Sequence, residues 1–71
     1  MKRRFEFVRG GSAKFWEIQQ NSCEVIVRFG RLGTPGQTQT KNFAVPISAQ
    51  KHVDKMIGQK IGKGYVECIT T

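Results

Sequence analysis

The sequence predicts an α+β fold: an antiparallel sheet of about five strands, in chain order ββββαβ, with one amphipathic helix packed on one face. Three observations predict it. Apolar residues alternate with polar ones in short runs through Phe43, and glycine or polar turns separate the runs. From Ser48 the apolar period lengthens to that of a helix. A final short run, residues 65–69, returns to strand character.

Residues 4–9, Arg-Phe-Glu-Phe-Val-Arg, form the first strand, with Phe5 and Phe7 on one face. Gly10-Gly11-Ser12 breaks it. Residues 14–20 form the second strand, on which Trp16 and Ile18 share a face and are core candidates. Asn21-Ser22 turns the chain. Residues 23–29 are the strongest strand, with Val25, Val27 and Phe29 pointing one way and Glu24, Ile26 and Arg28 the other. Thr34-Pro35-Gly36-Gln37 suits a type II turn, because Pro pre-sets φ and Gly supplies positive φ. Gln37 to Phe43 resume a polar strand that faces water. Ala49, Val53, Met56, Ile57 and Ile61 then form one helical stripe, with Ser48 as N-cap. Gly62 and Gly64 stop the helix, and Lys60 and Lys63 oppose its dipole.

The 71 residues make one domain, with no repeat, linker or low-complexity tract. A chain of this size buries only about 60% of the surface its unfolded form exposes. Its core is small, and a deep pocket for a small-molecule substrate is not expected. Twelve Lys and Arg against five Asp and Glu give a net charge of +7. That field favours polyanions, nucleic acid before an anionic membrane surface. No apolar run approaches the ~20 residues of a membrane span. Glu6 and Arg9 interrupt the stretch a signal peptide would need. A soluble, cytoplasmic, monomeric protein is expected.

Little in the sequence supports catalysis, metal binding or a cofactor. Cys23 and Cys68 are distant and sit among apolar or β-branched neighbours, so they read as reduced, buried thiols. Two such Cys and one His do not make a zinc set. His52 falls on the helix beside Lys51 and Asp54 and reads as solvated. Glu6, Glu17 and Glu24 lie on strands among cations and read as surface ion pairs.

The Gly-rich tip carries more. Gly30, Gly33 and Gly36 are not a P-loop, since no Gly-Lys-Ser/Thr follows. Gly30-Arg31-Leu32-Gly33 matches a GXXG loop literally, but it joins strands, whereas the RNA-binding loop joins helices. The triplet Phe29-Gly30-Arg31 offers a ring at a strand end, a residue without a side chain, and a guanidinium. A ring there can stack on a base or sugar, and a guanidinium can fork onto a phosphate. The opposing reading makes Phe29 core and Arg31 a solvated loop charge. Arg28, Arg31 and Lys41 cluster with aromatics on this hairpin, which is what a nucleic-acid surface uses.

Lys14-Phe15-Trp16-Glu17-Ile18, the run from Val27 through Arg28-Phe29-Gly30-Arg31 to Gln37, and Lys60-Ile61-Gly62-Lys63-Gly64-Tyr65 together resemble a WGR domain. The resemblance covers about residues 4–69. Such domains occur in poly(ADP-ribose) polymerases and in bacterial proteins related to a molybdate-metabolism regulator, and short single-domain chains look bacterial. The resemblance implies an antiparallel sheet with one helix and a DNA-binding role at breaks. It implies that Phe29 packs on the sugar of a terminal nucleotide and that Arg31 positions. Phe29 stands where the family motif has Trp. It keeps a π face and loses the indole N–H. The leading expectation is a non-catalytic DNA-binding module preferring ends or nicks, with Phe29, Gly30, Arg31, Arg28 and Lys41 at the interface. The alternatives are a protein-docking module and a general RNA or single-strand binder.

Overall fold

The structure, a computed structural model, describes residues 2–69. Five strands and one helix follow one another as β1 (Lys2–Arg9), β2 (Ser12–Asn21), β3 (Glu24–Arg31), β4 (Gln37–Asn42), α1 (Pro46–Gly62) and β5 (Val66–Cys68). The sheet order is β4-β3-β2-β1-β5, and every pairing is antiparallel. The expected α+β architecture and its ββββαβ order are therefore present. Three hairpins lay down four strands in sequence. The helix then carries the chain back across one face, from the β4 edge to the opposite edge, where β5 pairs β1.

Register decides which side chains meet. Phe5, Trp16 and Phe29 are aligned across three strands, as are Ile18 and Val27. They point to the helix side, where Phe5, Trp16, Ile18 and Val25 close over Ala49, Val53 and Ile57. Burying a large apolar side chain stabilises by roughly 1.5–3 kcal/mol, so the six groups larger than Ala49 form most of the core.

The helix begins three residues earlier than an N-cap at Ser48 predicts. Val45 is the N-cap and makes no side-chain cap bond, and Pro46 occupies the first turn. Proline fits there because it lacks an N–H to satisfy and its φ is already helical. The C-terminus closes at Gly64, with φ +103°. Gly64 N–H donates to Ile61 O at 3.0 Å, and Tyr65 N–H donates to Lys60 O at 3.0 Å. This is a Schellman closure, and it fixes Tyr65 beside Lys60.

Ile61 does not join the core and is 54% exposed. An ideal helix advances about 40° past a full turn in every four residues. From Ala49 to Ile57 the stripe stays over the sheet; one step further it has rotated off. Lys60 occupies the angle between Ala49 and Val53 instead, and it is half-buried.

Candidate nucleic-acid interface

The two faces of the sheet differ in charge. On the open face, strand parity and register place Lys2, Arg4 and Arg28 with Glu6, Glu17 and Glu24, three cations against three acids. The other nine cations, opposed only by Asp54 and Glu67, belong to the helix, its C-cap and the sheet face beneath it. The whole net charge of +7 therefore lies on the helix side.

Neutrality of the open face is built into contacts. Glu17 is 6% exposed. Its carboxylate meets Arg4 at 2.6 Å, Arg28 at 3.0 Å and Lys2 at 3.4 Å. Arg4 and Arg28 also lie over the Phe15 ring, each 4.8 Å from its centroid. Burial alone would raise the Glu17 carboxyl; the hydrogen bonds from Arg28 and Arg4 and the Lys2 charge outweigh it and hold the pKa at about 2. The expectation of an ordinary surface pair at Glu17 is corrected: it is a buried carboxylate under three cations.

The expected site residues separate accordingly. Phe29, Arg31 and Lys41 fall on the helix side by parity, whereas Arg28 falls on the open face. Arg28 is occupied there by Glu17 and by Pro35 O, which it reaches at 2.9 Å. It ties the hairpin tip to the sheet. Gly30 admits a backbone closely, and that backbone is the chain's own. A Cβ on Gly30 would come within 2.8 Å of Gly36 Cα. Gly36, at φ +70°, takes the positive φ expected in the tip. The hydrogen-bonded turn lies just before it, with Thr34 N–H donating to Arg31 O at 3.2 Å.

Phe29 is half-buried against the core and reaches the surface between two hollows. The smaller, about 260 Å³, is bounded by Lys14, Phe29, Arg31, Lys60 and Tyr65. Lys14 lies directly opposite Arg31 across β2 and β3. Lys60 Nζ sits 5.5 Å from the Trp16 ring and 5.2 Å from the Tyr65 ring. Burial, then the charges of Lys63 and Lys14, push the Lys60 ammonium below the usual lysine range. An anion placed here would relieve that repulsion.

The larger hollow, about 610 Å³, runs between β4 and the helix. Trp16, Val27 and Phe29 line it from the sheet, Lys41 from β4, and His52, Met56 and Lys60 from the helix. Those three helical residues follow at four-residue steps, which sets them in one row. His52 was expected to be solvated; it is half-buried, its ring 5.1 Å from Phe43. Burial first, then Lys41 and Lys55, lower its pKa. Lys41 also lies over the Phe43 ring, at 5.3 Å. Lys60, Lys14, Tyr65 and His52 were not singled out as site residues from sequence. For Lys60 the signal is the helical angle, since it projects onto the stripe that Ile61 leaves; for Lys14 it is strand parity with Trp16 and Ile18.

The thiols are half-buried, where burial had been expected, and both are free. Cys23 lies in the turn just before β3 and Cys68 ends β5, three strand positions away in the sheet, roughly 14 Å at the usual strand spacing. A disulfide needs Cα atoms within about 7 Å. Among the described residues, no three His, Cys, Asp or Glu side chains group as a metal site, and no helix is long and apolar enough to cross a membrane.

Known proteins share this arrangement. A profile of the WGR domain matches residues 1–70. Protein YehF of Escherichia coli is 38% identical over 65 residues, which is 92% of this chain and 24% of that protein. The uncharacterized E. coli protein YfeS is 37% identical over 67 residues, 94% of this chain and 28% of its own length. A crystal structure of a Bacteroides fragilis protein superposes with a TM-score of 0.94 at 49% identity, covering 97% of this chain and 20% of that one. The chain thus spans about a quarter of the curated relatives it matches. With its sheet order, its single helix and a family match along nearly its whole length, the chain belongs to the WGR domain family.

Proposed function

We propose that this WGR domain is a non-catalytic DNA-binding module, acting as a monomer in the cytoplasm, that holds duplex ends or nicks on its helix side. The observation that carries this reading is the segregation of charge: the net +7 lies on one side and the open face is balanced. A one-sided cationic surface attracts phosphates and orients the molecule on them. Phe29, Gly30 and Arg31 form the centre of the interface, with Lys14, Lys60 and Lys41 flanking it. Arg28 supports the hairpin from behind. Phe29 offers a ring face to the sugar of a terminal nucleotide, and Arg31 forks onto the adjoining phosphate.

The test is a binding panel of intact, nicked, blunt-ended and single-stranded DNA at two salt concentrations. Nicked and blunt-ended duplexes should bind more tightly than circular intact duplex. Log affinity should fall linearly with log salt, with a slope near 0.9 per phosphate neutralised. Absence of binding to every DNA at low salt overturns the reading.

One observation favours a second reading, docking onto protein. Val8 and Val66 are 71% and 68% exposed and share the balanced open face, beside the free edge of β5. A partner held there would show a shallow salt slope, and mutation of Arg31 would leave it in place.

A further inference from the structure

The groove between β4 and α1 is the larger of the two hollows that Phe29 borders. Its floor is apolar and aromatic, from Trp16, Val27 and Phe29. Its ends carry Lys60 beside Phe29 and Lys41 four residues back along the hairpin, and no acidic side chain lines it. At about 610 Å³ it lies in the range of small-ligand sites, roughly 300–1,000 Å³. It is also continuous with the proposed DNA surface, because Phe29 and Lys60 border both hollows.

Charge complementarity and continuity select the occupant. A neutral apolar group would leave the cations at both ends without a partner, and a bare phosphate would leave the aromatic floor uncovered. One unpaired nucleotide satisfies both, since its base has a flat face for stacking and its flanking phosphates are anionic. Resting on the DNA reading above, we propose that this groove takes one unpaired nucleotide from an overhang or flap, its base against Phe29 and Met56, its phosphates facing Lys60 and Lys41. A duplex held at Phe29 and Arg31 has its terminal nucleotide at the groove mouth, so a nucleotide beyond the last pair enters without the cost of breaking a pair.

Three duplexes test this by fluorescence anisotropy: blunt, with a one-nucleotide overhang, and with an abasic overhang of equal charge. The base-bearing overhang should bind about tenfold more tightly than the abasic one. Gln39→Trp, at an exposed β4 position on the groove wall, should abolish that difference by filling the space. NMR titration with thymidine monophosphate should shift the Met56 methyl and His52 ring signals. Equal binding of base-bearing and abasic overhangs, with the blunt duplex still bound, overturns the groove proposal alone. Failure to bind any duplex overturns the DNA reading and this one with it. Shifts of Met56 and His52 with a short acidic peptide but not with the nucleotide assign the groove to a protein and overturn the proposal.

Discussion

Glu17 and Phe29 lie on adjacent strands, on opposite faces, and their roles divide along that line. Glu17 holds Lys2, Arg4 and Arg28 on the open face and balances their charge there. Its pKa, about 2 when folded against 4.5 for the free group, links it to acid stability. The stabilisation is complete above about pH 4.5 and is lost as pH falls toward 2, and at neutral pH it is about 3 kcal/mol. Glu17→Gln should lower the Tm at pH 7 and flatten its dependence between pH 5 and about 2.5, as thermal melts across that range will show. Phe29 and Arg31 separate differently. Arg31→Ala should weaken binding to every DNA and reduce the salt slope by about one unit. Phe29→Ala should cost roughly 1–3 kcal/mol of affinity, mostly at ends and nicks, with little change in slope. Phe29→Trp restores the motif residue and should keep or raise end preference. Because Phe29 also packs on the core, a melting curve accompanies each affinity.

The helix is the element whose sequence pattern and structure diverge in an instructive way. The sequence period predicts a stripe of Ala49, Val53, Met56, Ile57 and Ile61, but the buried face ends at Ile57 and Lys60. Ile57→Ala should cost about 2–5 kcal/mol, whereas Ile61→Ala, at an exposed position, should change stability by less than about 0.5 kcal/mol. Equal losses at the two positions would mean that the helix is rotated. The C-terminal closure carries a separate prediction. Gly64 has φ +103°, and a Cβ there would approach the Phe7 ring at 3.3 Å. Gly64→Ala should destabilise by about 1–2 kcal/mol. It should also loosen Tyr65 from Lys60, which a change in the Tyr65 fluorescence or ring signals would report. The hairpin tip shows the same logic on a smaller scale: Gly30 and Gly36 are needed because two backbone segments pass within a Cβ of each other.

At the scale of the whole molecule, the asymmetry of charge should make the proposed DNA binding depend on pH as well as on salt. His52 faces the groove with Lys41 from β4 and Lys60 from its own helix, and burial, then the charges of Lys41 and Lys55, lower its folded pKa. The unfolded chain therefore takes up the proton more readily, and the free protein loses some stability as pH falls below the ordinary histidine value. A phosphate in the groove reverses the preference, because it favours the charged ring. DNA with an unpaired terminal nucleotide should bind more tightly as pH drops from 7 to about 5.5, and His52→Gln should remove that pH dependence. Isothermal titration at two pH values in buffers of different ionisation enthalpy will measure the proton taken up.

The sequence by itself determined the fold class, the strand order along the chain, the faces of the strands and the membership suggested by the Phe29-Gly30-Arg31 hairpin. It could do so because alternation, helical period and turn chemistry are local, and a short chain offers few ways to bury one apolar face. Only the tertiary structure decided which charges remain free. Arg28 and Arg31 are three residues apart, and nothing in the sequence says which of them is paired. Strand parity sends them to opposite faces, and the register of β1, β2 and β3 brings Arg4 and Glu17 to Arg28 alone. Likewise Lys60 reads as a dipole partner until the rotation of the helix turns it onto Trp16 and Tyr65. Pairing of charges is long-range in sequence, from Lys2 to Glu17 and from Arg3 to Glu67, so no local pattern encodes it.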